Sequence, residues 1–399
     1  MIVPEKIIYL DHNATTPLDP AVLEEMLPFL TTYYGNPSSA YRFGAQVRSA
    51  IDLARERVAM LLGCEPGEII FTSCGTESNN TAIRSALQLD PKRQHIVTTA
   101  VEHSAILRLC GELAKRGSTV TYVPVDSDGN LDLDELERAV TSETAIISAM
   151  WANNESGVLF PIEKIAEIAR RKRVIFHCDA VQAAGKLPIS LRHSTINFLS
   201  LSAHKLYGPK GVGALYLSRR APFRPLLFGG SQENGRRAGT ENVASIVGFG
   251  KAAERAVEAL RTEPDRIRQM RDQFEAAIIA AIPDVTVNGN LKERLPNTSS
   301  LTFDGIQSGA ALMMLDQSNL CCSAGSACHT GSLQASHVLR AMGLSEERAR
   351  GSLRFSFGRF NTATEVGKAI AIVTATIAKM RRLNALSSNL PERKPVPAL

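Results

Sequence analysis

Apolar residues in the first part of the chain recur with two distinct periods. Over 47–62, Val47, Ile51, Ala54, Val58 and Leu61 or Leu62 fall at steps of three and four, which predicts an amphipathic helix that stops at Gly63. Glu68 to Ser73 is a short run centred on Ile69, Ile70 and Phe71, the pattern of a buried strand. The segment after it, CGTESNNTAIRSAL, reads as a Gly-Thr turn opening a helix. Strand and helix patterns then alternate: HIVTTA, a helix over 104–115, TVTYVPV, a helix over 132–140, AIISAMW up to Trp151, a helix over 161–172, VIFHCDA, INFLSLSAHK, and VGALYLS up to about Ser218. Such alternation predicts an α/β fold with a mostly parallel sheet between helices.

After Gly250 the pattern changes. Two helical stretches, 251–260 and 265–282, lead to strand-like NTSSLTFDG, a Cys/Ser/Gly-rich stretch, strand-like GSLRFSF and a last helix reaching about Leu383. That helix opens with Thr362-x-x-Glu365, the form of a capping box. A domain boundary is expected within 250–262, and a length of 399 residues fits two domains. The tail over 387–399 has proline and charge without periodicity, and is expected to be mobile. There is no internal repeat.

Composition acts by exclusion. Apolar residues at 44% and charged ones at 21% are ordinary globular usage, which leaves no room for a disordered, collagen-like or fibrous chain. Lys and Arg number 45 against 40 Asp and Glu, too even a balance for the basic stripe of a nucleic-acid binder. The longest unbroken apolar run, 276–282, is far shorter than a membrane span, and MIVPEKIIYLDHNATT lacks the basic and apolar regions of a secretory signal. The seven cysteines (Cys64, Cys74, Cys110, Cys178, Cys321, Cys322, Cys328) form no repeating framework, so free thiols in a reducing cytoplasm are expected.

Candidate chemistry lies where the predicted strands end. Lys205, in SAHKLYGPKG, follows an apolar strand; a partly desolvated lysine near other cations has the neutral amine that Schiff-base formation needs. Asp179 closes VIFHCD, the edge at which open α/β sheets bind ligands. A carboxylate there can keep a pyridinium nitrogen protonated and make the ring of pyridoxal 5'-phosphate (PLP) an electron sink. Gly75-Thr76 opens a helix directly after a strand, so its free N–H groups and the Thr76 hydroxyl could cradle a phosphate. His103 follows HIVTTA, where its flat ring could lie over a second aromatic system, and Asn153-Asn154-Glu155 follows AIISAMW. Each has a plain counterpart: a surface lysine, a helix cap, a common junction, a core histidine, a turn. Their joint station on one rim is the argument.

The last cluster is CCSAGSACHTGS, from Cys321 to Ser332. Small residues around Cys328 describe an exposed loop suited to a thiolate that travels to a buried reactant and turns outward. Cys321 and Cys322 also read as small buried hydrophobes at a strand end. A metal held by Cys321, Cys322, Cys328 and His329 is a further alternative, although the spacing matches no common zinc pattern.

Nearly the whole chain, from YLDHNATTPLDP to the final helix, resembles the NifS/IscS-type cysteine desulfurases, PLP enzymes of the class-V aminotransferase family with fold type I. The resemblance rests on YGNPSS, FTSCGTESNN, VEHSAIL, MWANNESGVLFPIE, FHCDAVQAAGKLPI, LSAHKLYGPKGVGALY, GRRAGTENVASI, GSACHTGS and SLRFSFGR, in that order. MWANNESG, LFGGSQENGRRAGTEN and FTSCGTES look closer to the nitrogen-fixation branch than to the housekeeping one. The resemblance implies a large PLP domain over 15–258 with a mostly parallel seven-stranded sheet. It also implies a smaller α+β domain, made of 1–14 and 259–386, that carries the Cys328 loop.

By motif, Lys205 would carry the cofactor, Asp179 would face its ring nitrogen and His103 would stack on the ring. Gly75, Thr76, Ser202 and His204 would hold the phosphate together with Thr240 of a second subunit, which implies a homodimer. Asn154 and Gln182 would contact ring substituents, and Arg354 with Asn36 would receive the substrate carboxylate, a role suited to a guanidinium that grips through two parallel hydrogen bonds. The implied reaction turns L-cysteine into L-alanine: Lys205 takes the α-proton, and Cys328 takes the sulfur as a persulfide for an iron–sulfur scaffold or another acceptor.

The loop departs from the family's SSGSACTSGS: Cys322 replaces a serine and His329 a threonine. Cys328 keeps its place in Gly-Ser-Ala-Cys and is expected to remain the nucleophile, with Cys322 open to a role as a second sulfur relay. Ala-Cys-His also resembles the loop of selenocysteine lyases, so selenocysteine is an alternative substrate. A non-enzymatic metal or iron–sulfur protein and another PLP reaction on the same scaffold are the remaining rivals.

Overall fold

Seven strands lie side by side in the order Ile69–Thr72, Gly213–Leu217, Phe198–Ser202, Ile175–Asp179, Thr144–Met150, His95–Thr99 and Thr119–Val123. The computed structural model describes residues 7–325 and 335–388. Within this sheet Gly213–Leu217 alone runs against its neighbours; the other pairings are parallel. His95–Thr99, Thr144–Met150 and Phe198–Ser202 are buried along their whole length, as a parallel sheet covered on both faces requires. Successive residues of a strand face opposite ways. Ile96 and Ile146 therefore pack with Ile83, Ala86, Ile106 and Leu113 of the helices Gly75–Leu89 and Ser104–Lys115. Val97 and Ile147 join Ile165 and Ala169 of Ile162–Lys172 in the main core. The parallel strands thus end along one edge, and the turns after them converge there.

A second sheet, antiparallel, has the order Ser323–Ala324, Ser352–Ser356, Thr298–Phe303, Val285–Val287. Its core is separate: Phe274 and Ile278 of Glu263–Ala281 and Val366, Val373 and Ile377 of Ala363–Ser388 pack on Leu301, Phe303, Leu353 and Phe355. Ile8 and Leu10 belong to this core too, because Ile8–Tyr9 pairs in parallel with Leu320–Cys321.

The helix expected over 47–62 is present with its predicted buried stripe and its stop at Gly63, which adopts φ 60°, but it begins earlier, at Arg42. Thr362 and Glu365 form the expected capping box, with reciprocal hydrogen bonds of 3.1 and 3.2 Å. Two boundaries moved. The helix expected over 251–260 is Val243–Ala259. It continues through Gly248 and Gly250, poor helix formers, because a Cβ on Gly250 would lie 2.5 Å from Ala54 Cα and one on Gly248 would lie 2.5 Å from Met26 Sδ. Close helix packing outweighs propensity there. The last helix runs to Ser388, past Leu383, so the first two residues of the expected tail are helical and the rest lies outside the described residues. No described helix is long and apolar enough to cross a membrane.

Phe274 ties the second core together, its ring 4.8 Å from that of Phe355 and 5.5 Å from that of Phe357. Phe274→Ala should lose about 3–5 kcal/mol of stability, the sum of lost transfer energy and an unfilled cavity. Chemical denaturation should show a lowered midpoint; an unchanged one would mean that the second sheet does not depend on this contact.

Candidate active site

The turns that converge at the strand ends enclose a cavity of about 450 Å³, within the size range of small-molecule and cofactor sites. Asp179 ends its strand buried at the cavity wall. Its Oδ2 accepts from Asn79 Nδ2 at 2.7 Å and its Oδ1 from the Val181 N–H at 3.0 Å, so the carboxylate is fixed from two sides. The 3-10 turn Ala203–Lys205 follows Phe198–Ser202 at once and brings Lys205 to the same wall. Lys205 Nζ donates to the Asn13 and Ala14 carbonyls, both at 2.6 Å.

Facing these groups is the first turn of Gly75–Leu89, whose backbone N–H groups make an anion cradle, with Thr76 and Ser202 also lining the cavity. Gly75 is required by proximity: a Cβ there would stand 2.8 Å from Val181 Cγ2. His204 lines the cavity and bonds Thr15 Oγ1 through Nδ1 at 3.1 Å. Burial, then the cations Lys205, Lys210 and Lys186, lower its pKa to about 4, which leaves a neutral ring. His103 caps Ser104–Lys115: its Nδ1 accepts from the Ala105 N–H at 3.1 Å, so in the neutral ring the proton sits on Nε2.

Asn154 and Gln182 line the cavity as expected, and Arg354 reaches it from the second sheet. Arg354 is 3% exposed; Nη2 pairs with Asp11 Oδ1 at 2.7 Å and Nη1 donates to the Asn154 carbonyl at 3.0 Å. Its Nε is buried with no partner among the described residues, and Asn79 Oδ1 is likewise unmatched. An unmatched donor and acceptor at one cavity are groups a polar ligand would satisfy.

Two expected members are not brought to this cavity. Asn36 is exposed and outside the lining, because its Oδ1 caps its own turn by accepting from the Ser38 N–H at 2.9 Å. Thr240 is exposed in the loop before Val243–Ala259 and does not line the cavity of its own chain. Cys328 and His329 lie outside the described residues, though Gly325 and Ala335, on either side of that segment, both line the cavity. Cys322 does not suit a relay. It packs on the second core, and burial first, with the Asp11 charge next, pushes its pKa far up, so it stays a thiol. Cys321 is raised in the same direction by burial, then by Asp316. Among the described residues no group of three His, Cys, Asp or Glu could hold a metal ion.

Sequence reasoning missed Asn13, Asp11, Asn79, Lys186 and Glu102, all near the site. The first two stand in YLDHNATT, a segment noted only as a motif. Glu102 is fully buried. Its Oε1 accepts from Thr99 Oγ1 at 2.8 Å and from the Met150 N–H at 2.9 Å, while Oε2 has no partner among the described residues. Burial raises its pKa to about 8, against the lowering effect of those two donors and with some help from Asp179.

The described cavity fits PLP on its own chemistry: a fixed carboxylate, a lysine at a strand end and an anion cradle share one space of the right size. Comparison with known proteins agrees. The aminotransferase class-V family model matches residues 8–368. A cysteine desulfurase of Nostoc sp. is 50% identical over 383 residues, covering 96% of each chain. A solved NifS-like protein superposes with a TM-score of 0.88 at 38% identity, covering 94% of this chain and all of the other. SspA, solved in complex with cysteine, gives a TM-score of 0.78 at 36% identity over 89% of this chain and 99% of its own.

Glu102 sets a pH dependence. Its folded pKa of about 8 exceeds the ordinary 4.5, so between these values the folded chain binds a proton that the unfolded chain releases. The stability Glu102 contributes is full below pH 4.5 and is lost as pH rises towards 8, by at most about 1.4 kcal/mol per pH unit. Glu102→Gln should remove this slope, so that denaturation midpoints of the two proteins diverge with rising pH in the variant's favour. Parallel curves would show that Glu102 is ionised in the fold.

Proposed function

We propose, for a chain that belongs to the class-V aminotransferase family and within it to the NifS-type cysteine desulfurases, that it converts L-cysteine to L-alanine and keeps the sulfur as a persulfide on Cys328. The observation that carries this is the shared cavity of Lys205, Asp179, His103 and the Gly75–Leu89 helix start, with the segment bearing Cys328 flanked by two residues of its wall.

PLP, when bound, supplies an electron sink for the negative charge left when an amino acid loses its α-proton. The chain's residues have the following parts. Helix N–H groups at Gly75 and Thr76, with the Ser202 hydroxyl and His204, would hold the phosphate; Thr240 would join them from a second subunit, in a homodimer. Asp179, braced by Asn79, would keep the ring nitrogen protonated, and His103 would lie against the ring. Asn154 and Gln182 would bond ring substituents. Arg354 would receive the substrate carboxylate, its unmatched Nε giving it a donor to offer. Lys205 would carry the cofactor and, once released, move the α-proton.

The Cys328 thiolate then attacks the substrate sulfur: an S–S bond forms, the C–S bond breaks, and the electron pair and proton left behind complete alanine. The persulfide would serve iron–sulfur cluster assembly or another acceptor. The cytoplasm suits this chemistry, and the described cysteines are all free thiols.

Purified protein given PLP should turn yellow, and L-cysteine should shift the band and yield alanine with wild type and none with Cys328→Ala. Protein that cannot take up PLP, or that is brown with iron, would return the cysteine cluster to a metal-site reading. Selenide release from selenocysteine far exceeding sulfide release from cysteine would move the substrate to selenocysteine.

A further inference from the structure

Lys186 follows Gln182 by four residues and is bonded to it: Nζ donates to Gln182 Oε1 at 2.7 Å and reaches Asn13 Oδ1 at 3.5 Å. Gln182 Nε2 donates to the Asn13 carbonyl at 3.0 Å, and the same carbonyl accepts from Lys205 Nζ at 2.6 Å. Lys186 lines a separate void of about 30 Å³ beside Lys205 and His12, and is absent from the wall of the main cavity, which Gln182 and Lys205 both line. Lys186 therefore stands behind the active face.

The chemistry of these neighbours fixes the amide. Lys186 Nζ donates to the amide oxygen, and a peptide carbonyl, which only accepts, must meet the amide nitrogen. Two independent neighbours thus impose one orientation. The oxygen is turned towards Lys186, and the second N–H of Nε2 remains for the cavity.

We propose that Lys186 is a positioning residue, which holds Gln182 so that an amide N–H faces the cavity and donates to an oxygen substituent on the ring of bound PLP. This rests on the functional reading above. The reverse orientation would set the amide oxygen against the ring oxygen, lone pair against lone pair.

The charged groups facing Lys186 are Lys205 and Arg354, with His12 and His204 nearby. Of the other charged residues around the void, Arg359 and Glu263 pair with each other at 2.8 Å. Burial, then Lys205 and Arg354, hold the Lys186 pKa well below its ordinary value, so its part is that of an N–H donor. Losing Lys186 frees the Gln182 amide to turn and takes a donor from the ring oxygen. That change favours the protonated form of the PLP chromophore on Lys205, so its titration midpoint moves up.

The test uses the PLP-loaded wild type, Lys186→Met and Lys186→Arg, titrated by visible absorbance, with PLP affinity read from fluorescence quenching. Lys186→Met should raise the midpoint by about one pH unit and weaken PLP binding about 3- to 10-fold, the worth of one hydrogen bond. Lys186→Arg, which keeps N–H donors at this position, should stay within about twofold of wild type in PLP affinity. A wild-type midpoint and affinity in Lys186→Met overturns the proposal, and so does a Lys186→Arg effect as large as that of Lys186→Met, which would assign the change to packing. Should Lys186→Met fail to fold, Lys186→Leu replaces it with the same expected upward shift and the same overturning result. Wild-type protein that takes up no PLP overturns the functional reading; uptake with an unmoved variant overturns this one alone.

Discussion

Asn13 joins the two cores at the cavity. Its backbone N–H donates to Ser356 Oγ at 2.9 Å and its Nδ2 to Thr298 Oγ1 at 2.8 Å, both on the second sheet. Its carbonyl accepts from Lys205 and Gln182, both on turns of the large sheet, and its Oδ1 accepts from Asn297 at 3.0 Å. One buried residue thus uses its backbone and side-chain groups together to hold three segments in register. A residue that made only some of these bonds would leave buried donors unmatched, at a cost of about 1–3 kcal/mol each. The positions of Lys205 and Arg354 relative to each other depend on this joint more than on either core alone.

The electrostatics follow from that enclosure. Burial first, with the nearby lysines Lys205 and Lys210 next at His204, keeps His204 and His12 neutral, each with a pKa lowered to about 4. Lys205, Arg354 and the helix start at Gly75 are places for anions, and a phosphate and a carboxylate are the two the proposed reaction brings. Asp179 sits in the same field, yet its carboxylate is fixed by Asn79 and the Val181 N–H and stays available to a cationic ring nitrogen.

Local signals were legible and distant ones were not. Strand ends, the Gly-Thr helix start and the Thr362 capping box are patterns a few residues long, so period and spacing reveal them. Asn13 meets Thr298, and Asp11 meets Arg354, across most of the chain; such bonds leave no spacing in the sequence. Helix Val243–Ala259 begins before the expected 251–260, and tertiary contact makes Gly248 and Gly250 necessary within it. Asn36 shows the converse: its motif is intact, but its side chain is taken by its own turn within this chain. The resemblance placed it in the site, and the described cavity of this chain does not include it.

In the proposed reaction the Asp11–Arg354 pair bears on how a substrate carboxylate would be received. A guanidinium 3% exposed would be costly without a counter-ion, and Asp11 supplies one at 2.7 Å, so the site holds a compensated cation before any substrate arrives. An incoming carboxylate meets a guanidinium whose Nη groups are engaged and whose Nε is not. It therefore gains a donor that was already desolvated and unmatched, without breaking the pair.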